Sequence, residues 1–453
     1  MAQRVQTLVE AIRRLARRGA ISSLRRIVDK SRAEDIADAV SHLTPAEQRL
    51  VFSQVENAET AAAVLVDLDE SDFLRLVVDI DFEYLIAILD HMEVDDEADV
   101  IALLPEDIKS RVLLAIEAQD KAHVEEILAW PEDSAGGIMQ PLAFRCHEDT
   151  TCREAINALH DQTDDLEMVF YLYVDNSNGQ LVGVTSLRAL LTHPPSTALS
   201  KFMTTEVITV PPETDQEDVA RLVSRYDMLA IPVVDQSRRL IGIVTIDDVV
   251  DVIREEAAED MLLMAGVADE EQQLGGSIWA AAQQRALWLF LTLAGGIAMA
   301  GIIGIYEADL ATLPVLAGFI PVMMGMGGNV GIQAATIGVR NIATGHASMT
   351  GARAMLWREA RIGLLMGLAF AVLLGIYAYF TAPLGQEFLF ATAISLSILA
   401  TVTAAASFGM LVPISLERVG VDPAVATGPF VTTGIDIVAI LIYFSTSKAL
   451  LGL

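Results

Sequence analysis

Asp436 is the residue whose placement most needs a chemical reason: a carboxylate in the middle of an apolar run, GPFVTTGIDIVAILIYF. An ionised acid at the centre of a spanning helix costs ~2.5–3.5 kcal/mol on insertion scales. It is retained where it lines an ion pathway, or where surrounding hydroxyls and backbone satisfy it as a structural group. A second polar exception is PVMMGMGGNVGIQAAT, residues 321–336. Four glycines in seven residues weaken a regular helix. Irregular backbone at membrane depth is tolerated only where it is buried in protein or lines a cavity, so an interruption is predicted at GMGGNVG. The same glycines also suit close helix packing, with Asn329 and Gln333, four apart on one helical face, as hydrogen-bonding groups between helices. The Asp436 carboxylate, the Asn329 amide and the carbonyls near Gly428 and Thr432 are oxygen donors. They suit Mg²⁺, a small ion that prefers octahedral oxygen ligands and sheds water reluctantly. A hydrated dication ~5 Å from the carboxylate is attracted by on the order of 7 kcal/mol at an effective dielectric near 20, before desolvation. Two such aspartates facing each other in a homodimer would balance both charges of the ion.

The elements that must position these residues are apolar spans. Five stretches reach the ~20 residues needed to cross a bilayer: 286–305, about 313–339, 362–380, 388–412 and 424–445. The link between the second and third carries Arg340, Arg353, Arg358 and Arg361, whereas the first and third links carry no Lys or Arg. Positive-inside logic puts the arginine-rich link in the cytosol. Five spans then predict a cytosolic N-terminal half and a C-terminus outside.

Charge divides the chain in the same place. The formal net charge is −31 although 53% of the residues are hydrophobic. From Ser277 to Leu453 seven acids face seven bases, so the whole excess lies upstream. An acidic balance opposes nucleic-acid binding, which needs Lys and Arg at phosphates, and favours cations or plain solubility. The two cysteines, Cys146 and Cys152, fit a reducing cytosol better than a disulfide framework. The N-terminus is basic and amphipathic without a continuous apolar core, which predicts a surface helix rather than a secretory signal.

Within the acidic half, residues 139–191 and 203–253 read as an internal repeat, YLYVDNSNGQLVGVTSLRALL against AIPVVDQSRRLIGIVTIDDVV. Asp175 and Asp235 are 60 apart, and Gly183 and Gly242 are 59 apart. Each copy reads as strand, helix, strand, turn, strand, helix, and the pair resembles the tandem cystathionine-β-synthase (CBS) module. Residues 33–130 show short amphipathic helical periods with acid-rich turns, which predicts a superhelical stack. Acid density peaks at EVDDEAD, residues 93–99, and along IDDVVDVIREEAAED, residues 246–260. On the latter, Asp248 and Asp251 are three apart, as are Glu256 and Glu259. Such pairs repel when bare and can be bridged by a cation. The expected organisation is an acidic helical N-domain over 1–132, CBS repeats over 133–200 and 201–262, a connecting helix over 263–284, and a five-helix transmembrane domain over 285–453.

Taken with WPEDSAGGIM, TDQEDVARLVSRYD, EEAAED, PVMMGMGGNVGIQAATIGVR and GVDPAVATGPFVTTGIDIVAILIYF, this order resembles the MgtE family of magnesium channels. The resemblance implies a homodimer with its pore on the dimer axis and Asp436 holding hydrated Mg²⁺. Asn329 matches the family's GGN asparagine, and Glu307 and Glu359 match family acids. Cytosolic Mg²⁺ sites are implied at Asp95, Asp99, Asp215, Glu217, Asp227, Asp248, Asp251, Glu256, Glu259 and Asp260. Two departures stand out. Gly331-Ile332-Gln333 occupies a position where the family often reads GNQ, which removes one pore-side amide. The aromatic, acidic and aromatic positions at which some members bind ATP read Leu172, Ala189 and Met228, with only Arg188 retained, so ATP binding is expected to be weak or absent.

The resulting expectation is a Mg²⁺ channel or transporter of the cell membrane, closed when the acidic half binds cytosolic Mg²⁺. The alternatives are transport of another divalent cation such as Co²⁺ or Mn²⁺, or a CBS-regulated membrane sensor without flux. A membrane enzyme would need a nucleophile with its base, or a His-rich metal site. The spans contain no His or Cys, and His346 is placed in a loop, so no enzyme is expected.

Overall fold

The computed structural model describes residues 2–116, 118–161, 169–267, 278–343, 351–426 and 428–453. They form two compact units, Met1–Arg254 and Glu255–Leu453. His346 lies outside the described residues.

The first unit begins with ten short helices: α1 (Ala2–Arg17), α2 (Ile21–Val28), α3 (Ala33–Ser41), α4 (Pro45–Phe52), α5 (Ala58–Val66), α6 (Glu70–Val77), α7 (Phe82–Leu89), α8 (Val94–Leu103), α9 (Glu106–Ala115) and α10 (Ala118–Ile127). Their starts are written in the sequence. Thr44 and Glu47 form a reciprocal capping box with Pro45 in the first turn of α4, which satisfies two of the four orphan amides there. The Asn57 and Asp81 side chains accept from the Glu59 and Glu83 amides at the starts of α5 and α7. Helices two apart pack together, α1 on α3, α3 on α5, α5 on α7 and α8 on α10. The result is the predicted stack, with one continuous core that includes Ile12, Leu24, Phe73, Leu85 and Ile101.

The repeats follow. The first holds β1 (Arg145–His147), α11 (Cys152–Asp161), β2 (Tyr171–Asp175), β3 (Leu181–Ser186) and α12 (Leu187–Thr192). Its sheet runs β1-β2-β3, parallel and then antiparallel. The second holds α13 (Gln216–Tyr226), β4 (Ala230–Val234), β5 (Leu240–Thr245) and α14 (Ile246–Met264). Here β4 and β5 pair antiparallel, and a single parallel bridge from Val210 to Val233 stands where β1 stands in the first copy. In register, Asp175 and Val234 occupy the matching irregular ends of β2 and β4, and Asp235 follows one residue beyond β4. The copies close on each other through Tyr173, Leu181, Ala230, Leu240 and Ile243, and through the Leu181 amide donating to the Arg238 carbonyl at 2.9 Å.

Among the described residues the second unit supplies five helical segments long and apolar enough to cross a membrane: Trp288–Ile305, Pro314–Ala343, Ala352–Thr381, Glu387–Arg418 and Phe430–Leu451. The predicted break at GMGGNVG is not there, because an α-helix runs unbroken over Ile320–Ala343. Within a bilayer an unsatisfied backbone group costs several kcal/mol, which outweighs the ~1 kcal/mol that a glycine forfeits in a helix. The irregular backbone lies upstream, in a 3₁₀ turn over Pro314–Phe319. Its Leu316 and Phe319 are buried, and the Tyr443 hydroxyl donates to the Leu316 carbonyl at 2.8 Å, whereas Pro314, Ala317 and Gly318 stay exposed.

The glycines serve close packing instead. A Cβ on Gly409 in the fourth span would stand 2.3 Å from the Gly331 carbonyl oxygen in the second. Gly363 and Gly367 of the third span similarly admit the backbone of Val402, Thr403 and Leu399, the small-residue contact that lets membrane helices approach. Gly409→Val is therefore expected to lose the folded protein. Backbone blocks the added side chain and cannot swing aside, so the cost reaches the ~1–3 kcal/mol of overpacking or more. Size-exclusion of the detergent-solubilised variant checks this; a wild-type profile with an unchanged melting temperature would contradict the packing.

Of the connecting helix expected over 263–284, residues 268–277 lie outside the described residues. α14 ends at Met264 and Gly266 follows at φ 74°. The Val267 amide returns to the Leu262 carbonyl, and the Gly266 amide to that of Leu263, the closure a left-handed glycine provides. Residues 278–284 already belong to the helix Ile278–Ile305.

Candidate ion pathway and acidic sensor

Gly428, Thr432 and Asp436 are spaced four apart and rise along one face of the fifth helix, Pro429–Leu451, which starts right after Gly428. The Thr432 hydroxyl donates to the Gly428 carbonyl at 3.2 Å, so that carbonyl is already engaged within the helix. Asp436 is half-buried and faces the second span: a Cβ on Gly328 would lie 3.8 Å from its Oδ1. The fold thus brings the mid-span acid to the glycine segment, as the ion-pathway reading requires. Among the described residues no Lys or Arg pairs with Asp436. Nor, among the described residues, does any hydroxyl donate to it as a structural acid would require, whereas Asp309 is held by Lys448 Nζ at 3.0 Å.

Asn329 and Gln333 are exposed, together with Val322, Gly325, Ile332, Thr336 and Arg340. These positions recur at three- and four-residue spacing, so one face of the second span is left uncovered. Glu307 is exposed in the link between the first and second spans, and Glu359 is buried on the third span. Neither is brought beside Asp436 by any contact seen here. The Asp309–Lys448 pair, which ties the short helix Glu307–Thr312 to the end of the fifth span, was not anticipated from the sequence. Its only signal there is a lone Lys in the last turn of an apolar helix.

The sensor acids fall into distinct settings. Asp95, in the first turn of α8, is buried, and its Oδ1 has no hydrogen-bond partner. It lies within electrostatic reach of Asp248 on α14. Burial, with Asp248 adding to it, raises the Asp95 carboxyl well above its ordinary range. Burial pushes Asp248 up to about 6, against lowering hydrogen bonds from Thr245. Asp251 pairs with Arg254 at 3.0 Å and also bears on Asp67, whose carboxyl is raised chiefly by burial and further by Glu34 and Asp251. Asp67 and Glu34 escaped the sequence reading because they sit at helix ends far apart in the chain. Asp215 caps α13 by accepting from the Glu217 amide at 2.8 Å, Glu217 pairs with Arg221 at 3.0 Å, and Asp227 closes the same helix at φ 50°. Asp99 is exposed on α8, and Glu256, Glu259 and Asp260 are half-buried on α14. Among the described residues no three of His, Cys, Asp or Glu converge as a preformed metal cluster; Asp95 with Asp248, and Asp67 with Glu34 and Asp251, stand within electrostatic reach of each other.

These pairs predict a pH response. Asp95 and Asp248 hold protons more tightly in the folded protein than in the open chain. Their protonation therefore stabilises the fold fully below the ordinary carboxyl value of about 3.9, and that gain is lost as pH rises through the raised folded-state values, about 6 for Asp248, since stability falls with pH wherever the native state binds more protons. In EDTA the melting temperature should be higher at pH 5.5 than at 7.5, by about 2–4 °C per kcal/mol. Asp95→Asn should raise the value at pH 7.5 and flatten the slope; a lowered value there would contradict the assignment.

At the nucleotide positions, Leu172 is buried in the first repeat's core and offers no surface for stacking. Its neighbour Tyr171, half-buried against the second repeat beside Ala230 and Ile243, is the aromatic the sequence reading passed over. Arg188 is exposed, and Ala189 and Met228 are half-buried.

The acidic helix α14 ends against the start of the fifth span. A Cβ on Gly428 would meet the Met264 carbonyl oxygen at 3.6 Å and the Gly266 amide nitrogen at 3.7 Å.

Comparison with known proteins places this architecture. Residues 320–446 match the MgtE divalent cation transporter family, 31–133 match the MgtE intracellular N domain, and 199–255 match a CBS domain. The chain is 32% identical to the magnesium transporter MgtE of Thermus thermophilus over 98% of its own length and 99% of the relative's. It is 30% identical to that of Bacillus subtilis over 92% and 94%. Among solved structures it resembles the cytosolic domain of the Mg²⁺ channel MgtE in complex with ATP, at 32% identity and a TM-score of 0.51, over 54% of this chain and 99% of that one. With five apolar spans, a CBS pair and an acidic helical domain joined in this order, the chain belongs to the MgtE family of divalent-cation transporters.

Proposed function

We propose that the protein conducts Mg²⁺ through a pore lined by Asp436 and gated by the acidic soluble unit. The observation that carries this reading is Asp436, half-buried on the fifth span against Gly328 with no cationic partner among the described residues; the gating part rests on Asp95, buried within electrostatic reach of Asp248 inside the first unit. Without metal the paired acids repel. Mg²⁺ bridging them favours a compact arrangement, and α14 then bears on the start of the fifth span. The ion shifts this balance only by its differential affinity for the two states.

The protein acts as a homodimer with its pore on the dimer axis. This is supported by the uncovered face that presents Asn329 and Gln333, because polar groups facing lipid are costly and favour a partner helix or water. The arginine-rich second link supports a cytosolic N-terminal half and an outward C-terminus. ATP binding is weak: the Ala189 and Met228 positions lack the acid and the aromatic, and Tyr171 with Arg188 supplies a partial site. Titration of the full-length protein with labelled ATP tests this, and micromolar affinity would overturn it.

The deciding experiment is ion uptake in proteoliposomes with Mg²⁺, Co²⁺ and Mn²⁺ in competition. Mg²⁺ uptake that closes at millimolar Mg²⁺ on the soluble face is expected. Preference for another cation would reassign the substrate, and absence of any flux would make the chain a sensor.

A further inference from the structure

The N-terminal two helices carry a charge opposite to the rest of their unit. Residues 1–32 contain nine bases and two acids, whereas residues 33–276 contain 14 bases and 52 acids. The basic side chains are not scattered. Arg14, Arg17 and Arg18 cluster at the end of α1, Arg25 and Arg26 lie on α2, and Lys30 and Arg32 follow; all seven are exposed. α1 and α2 pack on each other. Their apolar faces are fixed inward, with Val5, Val9, Ile12, Leu24 and Val28 buried in the core of the stack, so the arginine face is held outward on a rigid support.

Acids within the stack account for only part of this charge. Arg13 serves Glu47 and donates to the His42 carbonyl. Arg25 pairs with Glu56, and Arg17 lies near enough to help hold the Glu47 carboxyl low. Among the described residues no acid pairs with Arg14, Arg18 or Arg26, and Ile21 stands exposed between the two basic groups.

We propose that this basic pole docks on the anionic phospholipid headgroups of the membrane in which the same chain is embedded. Charge complementarity carries the assignment. A soluble unit this acidic is repelled by an anionic leaflet everywhere except at this pole. Because the spans belong to the same polypeptide, the encounter takes place at a high effective concentration. Each Lys or Arg close to an anionic leaflet contributes about a fivefold gain in partition. With the apolar face of α1 already buried, the contact is electrostatic and peripheral rather than an insertion. The docking is independent of whether the pore conducts Mg²⁺.

The test uses the full-length protein in nanodiscs of phosphatidylcholine alone or with phosphatidylglycerol. A donor at Ser22→Cys reports energy transfer to a headgroup acceptor. Transfer is expected to rise in the anionic discs. The docked fraction should fall at least about tenfold in Arg14→Gln/Arg17→Gln/Arg18→Gln/Arg26→Gln, and be retained when the same four become Lys. It should also weaken between 0.1 and 1 M salt, as the screening length falls from ~10 to ~3 Å. Equal transfer in both discs, or an unaffected Gln variant, would overturn the proposal. So would RNA saturating the pole equally in neutral discs, which would make a nucleic acid the occupant. Mg²⁺ uptake by the Gln variant in neutral liposomes should match wild type, which separates failure of docking from failure of transport.

Discussion

Asp436→Ala is expected to reduce Mg²⁺ uptake to the level of empty proteoliposomes while leaving the melting temperature near wild type. The carboxylate is half-buried on the fifth span opposite Gly328 and has no cationic partner among the described residues. Its removal therefore leaves no orphaned charge, and the fold gains by no longer burying an acid. Transport loses its main attraction. Even one fifth of the ~7 kcal/mol of unscreened attraction is a factor of ten in ion occupancy. Asp436→Asn keeps the shape and an oxygen donor but not the charge, and it should retain little of the flux, which separates charge from size. Dye-reported uptake beside circular dichroism of the same preparation gives both readings. Undiminished uptake in Asp436→Ala would remove Asp436 from the pathway, and a collapse of stability would make it a structural acid.

Neutralising the sensor should have the opposite sign. Asp248→Asn, Asp251→Asn, Glu256→Gln and Glu259→Gln together are expected to leave the pore conducting when the soluble face sees millimolar Mg²⁺, with the closing concentration raised at least about tenfold. A ligand that moves a two-state balance from 1:99 to 99:1 needs about 5.5 kcal/mol of differential binding. Bridged acid pairs on one helix and its neighbours are the groups able to supply it. Burial raises the Asp95 and Asp248 carboxyls, so their negative charge is disfavoured in the fold, and either removing the charge or adding a cation relieves that cost. The variant protein should consequently be more stable than wild type in EDTA and no more stable than wild type in Mg²⁺. Closure at wild-type Mg²⁺ would contradict the gating role of these four residues and leave the pore assignment intact.

Much of this was legible in one dimension. The charge step at residue 277, the five apolar runs and the Asp175/Asp235 period are properties of residue order, and burial of apolar surface and satisfaction of the backbone in lipid turn them into elements almost without regard to context. The lone mid-span acid was visible for the same reason, since an ionised side chain has so few reasons to be there.

What only the tertiary structure decided concerns contacts between distant segments. GMGGNVG reads as a broken helix by propensity, yet it is a continuous one because Gly331 must pass Gly409 at backbone distance and Ile435 must lie over it. Residue order does not record which helix will be neighbour to which. The same is true of the Lys448–Asp309 tie, of Asp67 and Glu34 joining Asp251, and of Tyr171 rather than Leu172 facing the second repeat. The sequence by itself determined which chemistry the protein holds and in which half. Three-dimensional packing decided which of those groups meet, because helix ends and strand faces acquire partners only when segments far apart in the chain compete for the same space.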